Sequence, residues 1–398
     1  MSIPRVAIIG AVAAPVSRYA SQYGARPAIK EQDLLCNVAV QAIRQAGVDN
    51  ESIDSAVFTM VSPDTRQLGF ATHIASRLGL RCHGQLSQVM EMGITGGLAF
   101  DQAAADIQLG RADIALALGV AYTTGGNPTE GMLTGLRVIG DAEFQAPFGA
   151  TPIAWYAMDA QRYMFETGAT REQLAAVAVK SRAAAMQNEL AQFRDPLSFQ
   201  QVLGARQIVE PLGLYEVPAV ADGAVCLVLA SEDAARQSGV PFVTVRGRGF
   251  SHDGRHQIGS TPHDITAFES LRIAGPSALN EAGATLNDID VAEIYAPCTI
   301  TEVLASEALG WFARGDGAIA ADEGRTAIDG DVPINTSGGC LSRGHPPALT
   351  ALYGLLEVRE QLLGLSGTRQ VKDAKLALTS CEAGNYNAAI VHVLEGPQ

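Results

Sequence analysis

The fold of this chain is decided by the segment Asn335-Thr-Ser-Gly-Gly-Cys-Leu-Ser-Arg-Gly-His-Pro346. Three glycines and a proline among its twelve residues disfavour a regular helix or a central strand, so we expect a shaped loop that fixes one imidazole, His345. Residues 348–362 have helical periodicity, so the positive end of a helix would face whatever this loop binds. The segment is a candidate catalytic loop; the alternative is a glycine-rich turn with a hydrogen-bonded structural histidine.

Composition limits the classes of protein to which the chain can belong. Its 398 residues are 47% hydrophobic and only 18% charged, which predicts a large core and an oligomer that loses surface to subunit contacts. The net charge of -14 argues against nucleic acid or an anionic membrane as the main partner. No apolar run of spanning length occurs, and the sequence from Met1 enters a strand pattern without a cleavable signal. We therefore expect a cytoplasmic protein without membrane insertion.

The residues with metal-binding or redox side chains show no ligand spacing. The six cysteines are scattered, which fits reduced thiols better than disulfides or zinc. Acidic and imidazole side chains in two loops look solvated for the same reason: Glu130, Asp141 and Glu143, and His252, His256 and His263. We predict no metal site.

A duplication organises the chain. Residues 42–58 realign with residues 278–294 at an offset of 236 (278 minus 42), and each copy has the pattern of an amphipathic helix closed by glycine and followed by a strand. Alternating strands and helices predict βαβ units, parallel sheets and helices on both faces. We expect an N-terminal half at 1–240, with an insertion at about 121–212, and a C-terminal half at 241–398.

The opening segment resembles the Asn-x-Ser-Gly-Gly…Gly-His-Pro signature of the thiolase superfamily. Residues 170–182 and 192–197 are similar to the middle region of sterol-carrier-protein and bacterial lipid-transfer thiolases, and the resemblance covers nearly the whole chain. It implies an α/β fold in which duplicated βαβ halves form a layered α-β-α-β-α core with an inserted loop domain. In this family, such an insertion covers the active site and helps bind coenzyme A.

The family's nucleophile loop has the pattern Val-x-x-x-Cys-x-Ser-Gly, and here the corresponding residues are Val89-Met-Glu-Met-Gly93-Ile-Thr-Gly96. Gly93 takes the place of the cysteine that accepts the acyl group. Because glycine has no side chain to acylate, the route through a thioester enzyme is closed at this position. Cys82, eleven residues upstream, is interpreted as a strand-end thiol and not as a substitute. The space left at Gly93 would suit a bulky ketone product.

Tyr295 aligns with a histidine of the sterol-carrier-type thiolases, and Cys298 aligns with their phenylalanine. Tyrosine has an ordinary pKa near 10, so it acts as a base when a neighbour lowers that pKa, and it can donate a proton in any case. An ordinary aromatic residue at a strand end is the alternative. The site pattern is most similar to that of steroid side-chain-cleaving acyl-CoA aldolases, which also have this tyrosine and lack the cysteine.

A third loop, 378–387, aligns with the family's Cys-x-Gly-Gly-Gly segment. Cys381 falls on the cysteine that moves a proton at the substrate's α-carbon, Gly384 is the one glycine that remains, and Glu382 adds a carboxylate. A buried, inert cysteine is the alternative. Cys340, inside the opening segment, is interpreted as packing.

These positions predict retro-aldol cleavage of a β-hydroxyacyl-CoA with a steroid, bile-acid or aromatic side chain, which needs no acyl-enzyme. We assign Tyr295 as base toward the hydroxyl, with His345 lowering its pKa and donating to the thioester oxygen. Cys381 protonates the enolate, and Gly93, Gly344 and Gly384 shape the loops. The alternatives are an acyltransferase or condensing subunit with relocated chemistry and a non-catalytic acyl-CoA or lipid-binding scaffold.

The resemblance also bears on partners and on the acyl group. It implies a homodimer, a small OB-fold partner subunit, an acyl-CoA substrate and no tightly bound cofactor beyond the coenzyme A of that substrate. The steroid aldolases commonly replace the Gly-His-Pro histidine, whereas His345 stays here. This difference leaves open an aldolase for another acyl group.

Overall fold

The computed structural model describes residues 4–20, 29–62, 65, 67–125, 139–254, 264–384 and 386–397. The strands of these residues are β1 (Val6–Ala13), β2 (Ser55–Val61), β3 (Leu86–Gln88), β4 (Ile114–Ala121), β5 (Gln207–Val209), β6 (Leu212–Gly213), β7 (Gly223–Ser231), β8 (Val243–His252), β9 (Val291–Ile294), β10 (Leu376–Glu382) and β11 (Ala388–Glu395). The helices are α1 (Glu31–Gln45), α2 (Phe70–Leu78), α3 (Thr95–Gln108), α4 (Pro152–Thr167), α5 (Arg171–Ala185), α6 (Phe199–Leu203), α7 (Glu232–Ser238), α8 (Glu269–Ala282), α9 (Thr299–Leu309), α10 (Asp316–Asp322) and α11 (Thr350–Leu362). Of these helices, none has the length and apolar character needed to cross a bilayer.

Nine strands form one sheet in the order β3-β2-β4-β7-β1-β8-β11-β10-β9. The order β2-β4-β7-β1 of the first half recurs reversed as β8-β11-β10-β9 in the second half, so the two halves are related by an approximate twofold axis. They meet where two residues of β1, Ala7 and Ile8, pair with β8. The expectation of parallel sheets is met only in part, because the sheet is mixed. Among the strands of the described residues, β2 with β3, β2 with β4, and β9 with β10 pair in parallel, whereas β7 and β11 run antiparallel to both of their neighbours.

The duplicated segments fold alike, as the sequence predicts. In the first copy α1 is followed by Gly47, with φ +67°, and by β2; in the second copy α8 is followed by Gly283, with φ +65°, and by β9. Positive φ at these two positions is the left-handed conformation that glycine adopts without strain at the end of a helix. The Ala-Gly pair therefore recurs in the sequence because both helices end in the same way.

The layers follow from which faces are apolar. The helices α3 and α11 pack against each other and lie in one apolar cluster with side chains from strands of both halves. Helices α1, α2 and α7 cover the outer face of the first half, and α8 and α9 cover that of the second. This arrangement confirms the predicted layered α-β-α-β-α core.

The insertion lies between β4 and β7. Its described part contains α4, α5, α6 and the small hairpin β5–β6, and the second half has only five residues, 383–387, at the equivalent point between β10 and β11. Helix α4 begins with Pro152 at its first position, where proline costs no hydrogen bond. Its inward side chains Tyr156, Ala160 and Tyr163 join the core of the second half, so the insertion packs on the end of the molecule where β9 and β10 finish.

We predict that Gly249→Ala on β8 destabilises the fold. A Cβ atom there would lie 1.8 Å from the backbone oxygen of Ala274 in α8, so the helix would have to move away from the sheet. We expect a loss of about 1–3 kcal/mol, measured as a lower thermal unfolding midpoint. Gly69→Ala is the matched control, because a Cβ atom at Gly69 would meet no atom of the described residues within 4 Å. Equal midpoints for the two variants would contradict the packing described for α8.

Candidate functional site

The loop that contains the opening segment is anchored by its first residue. Asn335 has a left-handed backbone with φ +57°. Its side-chain oxygen accepts a hydrogen bond from the backbone N–H of Ile294 at 2.9 Å, and its amide nitrogen donates to Glu302 at 2.9 Å. Because Ile294 is the last residue of β9, Asn335 fixes the position at which Tyr295 leaves the sheet.

A buried ion pair supports the middle of the loop. Glu293 accepts hydrogen bonds from the backbone and hydroxyl of Ser337, at 2.8 and 2.7 Å, and forms a salt bridge to Arg343 at 3.3 Å. Burial raises the pKa of Glu293 to about 7, although Arg343 opposes the shift. Residues Gly339–Arg343 wind into a single π-helical turn, a local irregularity common at functional sites. The predicted shaped loop therefore contains a turn of helix.

Gly344 brings the chain from this turn to His345. It has φ +111°, and a Cβ atom there would lie 2.5 Å from Val16 and 3.0 Å from Gln192. Only glycine fits both the backbone angle and the space. The backbone of His345 then forms a bridge to Val220, so the imidazole has a fixed origin beside the N-terminus of α11.

Tyr295 and His345 form the central contact of the site. The hydroxyl of Tyr295 lies 2.8 Å from Nε2 of His345, and the two rings meet edge to face with centroids 5.5 Å apart. Burial lowers the pKa of His345 to about 4, and the positive charge of Arg343 adds to the effect. The imidazole is therefore neutral at neutral pH and able to accept a proton.

The pKa of Tyr295 is shifted in the direction opposite to our expectation. Burial raises this pKa well above its ordinary value, and the nearby carboxyl of Glu382 raises it further. A neutral His345 carries no charge that could lower it. Tyr295 therefore rests as a phenol, and it can take a proton from a substrate only while passing its own proton on to His345.

Gly93 lies just before α3, in a turn of 3-10 helix at residues Met92–Ile94. A Cβ atom at this position would lie 2.0 Å from the backbone oxygen of Glu382 and 3.3 Å from the ring of Tyr295. The end of β10 thus occupies the volume that a nucleophilic side chain would need. The suggestion that this space admits a product was wrong, because a carbonyl group fills it.

Cys381 lies in the same small apolar cluster as Tyr295, Cys340 and Ile94. Its sulfur would lie 2.7 Å from a Cβ atom at Gly97, so it faces the first turn of α3. Burial is the main cause that raises the pKa of this thiol, which keeps Cys381 protonated.

Two further cysteines, Cys340 and Cys82, were interpreted from the sequence as a packing residue and a strand-end thiol. Cys340 is fully buried in the cluster around Tyr295, and burial raises its pKa to about 11, which is compatible with the packing role that we predicted. Cys82 lies in the connection between α2 and β3 and packs against the outer core of the first half, away from that cluster. It is not a substitute nucleophile for position 93.

Glu382 is the site residue that sequence reasoning noted without giving it a role. Its carboxyl is buried and accepts hydrogen bonds from the hydroxyl of Tyr156 at 2.6 Å and from the backbone N–H groups of Gly384 and Tyr386 at 2.7 and 3.2 Å. Gly384 has φ +93°, so the remaining glycine of the motif makes a tight turn that wraps around this carboxyl. The sequence could have indicated this role, because Glu382 places a carboxylate in a segment that is rich in glycine in the family.

Two of the polar loop residues considered for metal binding, Asp141 and His252, form hydrogen bonds within their own loops. Asp141 accepts hydrogen bonds from the backbone N–H of Glu143 at 2.8 Å, and Nδ1 of His252 accepts one from Gly254 at 2.9 Å. Glu130, His256 and His263 lie outside the described residues. Across the described ranges, no group of three or more histidine, cysteine, aspartate or glutamate side chains is arranged to hold a metal ion.

The fold and the site define a class. The segments ahead of α3 and α11, the residue after β9 and the end of β10 bring Gly93, His345, Tyr295 and Cys381 together in a duplicated α/β protein. Family models agree with this class: the thiolase N-terminal domain matches residues 6–233, and the thiolase C-terminal domain-like model matches residues 251–396. The chain belongs to the thiolase superfamily and is an enzyme of that superfamily.

Relatives within the superfamily differ in the activity for which they are named. An acetyl-CoA acetyltransferase of Methanothermobacter thermautotrophicus is 33% identical over 91% of this chain and 94% of its own length. A steroid side-chain-cleaving aldolase of Thermomonospora curvata is 29% identical over 88% of this chain and 89% of its own. A solved structure named as the Ltp2-ChsH2(DUF35) aldolase superposes with a TM-score of 0.83 at 26% identity and covers 99% of both chains.

We predict that Gly93→Cys does not create an acyl-accepting enzyme. The new side chain would collide with the backbone at Glu382, so we expect a loss of about 1–3 kcal/mol in stability and no covalent adduct with acyl-CoA. Thermal unfolding and intact-protein mass after incubation with acetyl-CoA measure the two effects. A stable variant that gains one acetyl group at position 93 would contradict the geometry.

Proposed function

We propose that this enzyme cleaves a β-hydroxyacyl-CoA by a retro-aldol reaction to a ketone or aldehyde and a shorter acyl-CoA. The observation that carries the proposal is the contact at Gly93, where the backbone oxygen of Glu382 leaves no room for a nucleophile. Thiolytic cleavage needs a residue that accepts the acyl group, whereas retro-aldol cleavage needs only acids and bases. The described site retains those acids and bases.

The first step is removal of the proton from the substrate's β-hydroxyl group. Tyr295 accepts this proton while its own hydroxyl proton passes to Nε2 of His345, 2.8 Å away. Because the pKa of His345 is about 4, the imidazole is free to accept a proton at any pH near neutrality. The tyrosine thus returns to its neutral form and the positive charge appears on His345.

In the second step the bond between the α- and β-carbons breaks. Its electron pair moves to the α-carbon and the thioester oxygen, and the β-carbon becomes a carbonyl. The imidazolium of His345 and the amides of the surrounding loops stabilise the enolate, in the manner of an oxyanion site.

In the third step the α-carbon of the enolate receives a proton. Cys381 is the proposed donor, because its thiol is buried beside Tyr295 and its raised pKa keeps the proton on sulfur until a strong base such as an enolate is present. His345 then holds the proton removed from the β-hydroxyl, and Cys381 has lost one. Release of a proton from His345 to solvent and uptake of one by Cys381 restore the resting site.

The similarities support a substrate class and a partner. One relative is named for cleaving steroid side chains, and we propose a steroid, bile-acid or aromatic acyl group here, carried on coenzyme A as part of the substrate. The superposable structure is named as an aldolase of Ltp2 with ChsH2(DUF35), and we propose that this chain forms a homodimer that also binds a small OB-fold partner subunit. No tightly bound cofactor is required by the steps above.

An acyltransferase is the second candidate, and the 33% identity to an acetyl-CoA acetyltransferase favours it. It would need another thiol to accept the acyl group, either Cys381 or Cys340. Both thiols are buried with raised pKa values, which suppresses the thiolate that attacks a thioester. Intact-protein mass after incubation with acyl-CoA decides: a stable adduct on either cysteine would overturn the aldolase. Binding of acyl-CoA without any turnover would favour a scaffold.

We predict that Tyr295→Phe lowers the rate of retro-aldol cleavage by a factor of about one hundred or more, because the relay to His345 loses its hydroxyl. Release of the ketone from β-hydroxyacyl-CoA substrates measures the rate. Tyr163→Phe, on α4, is the matched control, since that hydroxyl donates to Glu307 at 2.5 Å instead of to a site residue. Equal cleavage rates for Tyr295→Phe and Tyr163→Phe would contradict the proposed relay.

A further inference from the structure

The carboxyl of Glu382 is buried and hydrogen-bonded, but the proposed steps do not use it. It is 1% exposed and accepts three hydrogen bonds, one from Tyr156 of the insertion and two from backbone N–H groups of its own loop. Its backbone oxygen is the group that fills the space at Gly93. One residue therefore both closes the nucleophile position and places a carboxyl beside the phenol of Tyr295.

The insertion supplies the surroundings of this carboxyl. Tyr156 and Asp159 lie about one turn apart on α4, and both are buried. The carboxyl of Asp159 faces the hydroxyl of Tyr386, and its Oδ2 atom meets no hydrogen-bond partner in the part of the chain that is described. The insertion thus covers the end of β10 with polar groups and not with an apolar face alone.

We propose that Glu382 is a positioning residue for the relay: its ionised carboxyl supplies the negative charge that compensates the imidazolium formed on His345 and discourages a lasting tyrosinate at Tyr295. This inference rests on the proposed retro-aldol function and assigns a further residue to it. Glu382 acts through Tyr295, because it touches neither His345 nor, in the proposed steps, the reacting atoms.

The electrostatic surroundings agree with this role. After burial, the carboxyl of Glu382 raises the pKa of Tyr295 most, followed by the thiols of Cys340, Cys298 and Cys381. A negative charge beside a phenol disfavours a second negative charge on that phenol. Tyr295 therefore accepts the proton of the substrate's hydroxyl only as it gives its own proton to the imidazole of His345. Arg343 opposes a charge on His345, which is why a compensating carboxylate matters.

The groups that face Glu382 determine when it is ionised. Burial raises the pKa of Glu382 to about 7, and the hydrogen bonds from Tyr156, Tyr386 and Gly384 hold it below a still higher value. Its other titratable neighbours include Asp159 on α4, Cys298 at the start of α9, Tyr295 after β9 and Cys381 on β10 itself. The carboxyl is protonated below about pH 7 and ionised above it. Since His345 loses its proton near pH 4, a rise of activity through neutrality does not belong to His345, and the Glu382→Gln variant separates Glu382 from Glu293, whose pKa is also about 7.

The test compares the pH dependence of kcat for cleavage in three variants. Glu382→Gln keeps groups able to bond to the loop but removes the charge, so we expect the rise through about pH 7 to vanish and kcat at about pH 8 to fall about tenfold. Tyr156→Phe keeps the charge but removes one stabilising donor, so we expect the rise to move to higher pH by roughly one unit. Glu360→Gln is the matched control.

Glu360 suits this purpose because burial also raises its pKa to about 7, but it lies in the last turn of α11, far along the helix from His345. We expect the wild-type pH profile for this variant. Thermal unfolding of all three variants identifies any that do not fold, and Tyr156→Phe keeps the test decisive if Glu382→Gln is one of them.

A measurement without substrate tests the titration itself. In protein with ¹³C-labelled glutamate, we expect the infrared difference between the wild type and Glu382→Gln to contain a carboxylic-acid band that disappears through about pH 7, because the bands of Glu293 and Glu360, whose pKa values are also about 7, cancel in that difference. Absence of that band from the difference would overturn the inference. So would a wild-type profile in both Glu382→Gln and Tyr156→Phe while the unmodified enzyme cleaves its substrate. If the unmodified enzyme itself fails to cleave β-hydroxyacyl-CoA, it is the proposed function that falls.

Discussion

The site depends on the buried ion pair between Glu293 and Arg343. The pair fixes the turn that precedes His345, and Ser337 completes its hydrogen bonding. Breaking such a pair by removing one partner costs about 3–5 kcal/mol, because a buried charge is left without compensation. The same Arg343 disfavours a proton on His345. This interaction therefore sets the position of the imidazole and, through Arg343, adds to the effect of burial in keeping it neutral at rest, which a proton relay from Tyr295 requires.

The duplicated fold explains why the reacting groups meet. Strands β9 and β10 are parallel neighbours, so Tyr295 and Glu382 leave the sheet at the same edge. Helices α3 and α11 form the central layer and present their N-termini to that edge, with Gly93 and His345 just ahead of them. A loop from each of these four elements reaches one point. The backbone of Glu382 can approach Gly93 so closely only because glycine has no Cβ atom.

Periodicity and the internal repeat predicted the duplicated helix–strand units, and the resemblance to the thiolase superfamily implied the layered core and the group of residues that the site brings together. The sequence did not predict the antiparallel partners β7 and β11, since strand direction depends on connections that periodicity does not record. It also missed what occupies the space at Gly93. An absent side chain signals lost chemistry, but whether a cavity or another backbone group replaces it depends on the path of residues almost 290 positions away. The pKa of Tyr295 was misjudged for the same reason, because burial and Glu382 act only in the folded chain.

Overall sequence identity favours an acyltransferase for this chain, whereas the geometry at Gly93 favours an aldolase. The geometry has the greater weight. Identity to relatives named as acetyltransferases reflects the shared core, which any member of the superfamily needs in order to fold. Reaction type is determined at a few positions. At Gly93 the steric exclusion does not depend on a pKa or on the orientation of a side chain, because the backbone fixes the position of any Cβ atom there and the oxygen that it would meet belongs to the backbone of Glu382. An acyltransferase on this scaffold would need a nucleophile elsewhere, and the cysteines around Tyr295 are buried as thiols. The relay from Tyr295 to His345 needs no such addition, since both of its groups are already within hydrogen-bond distance.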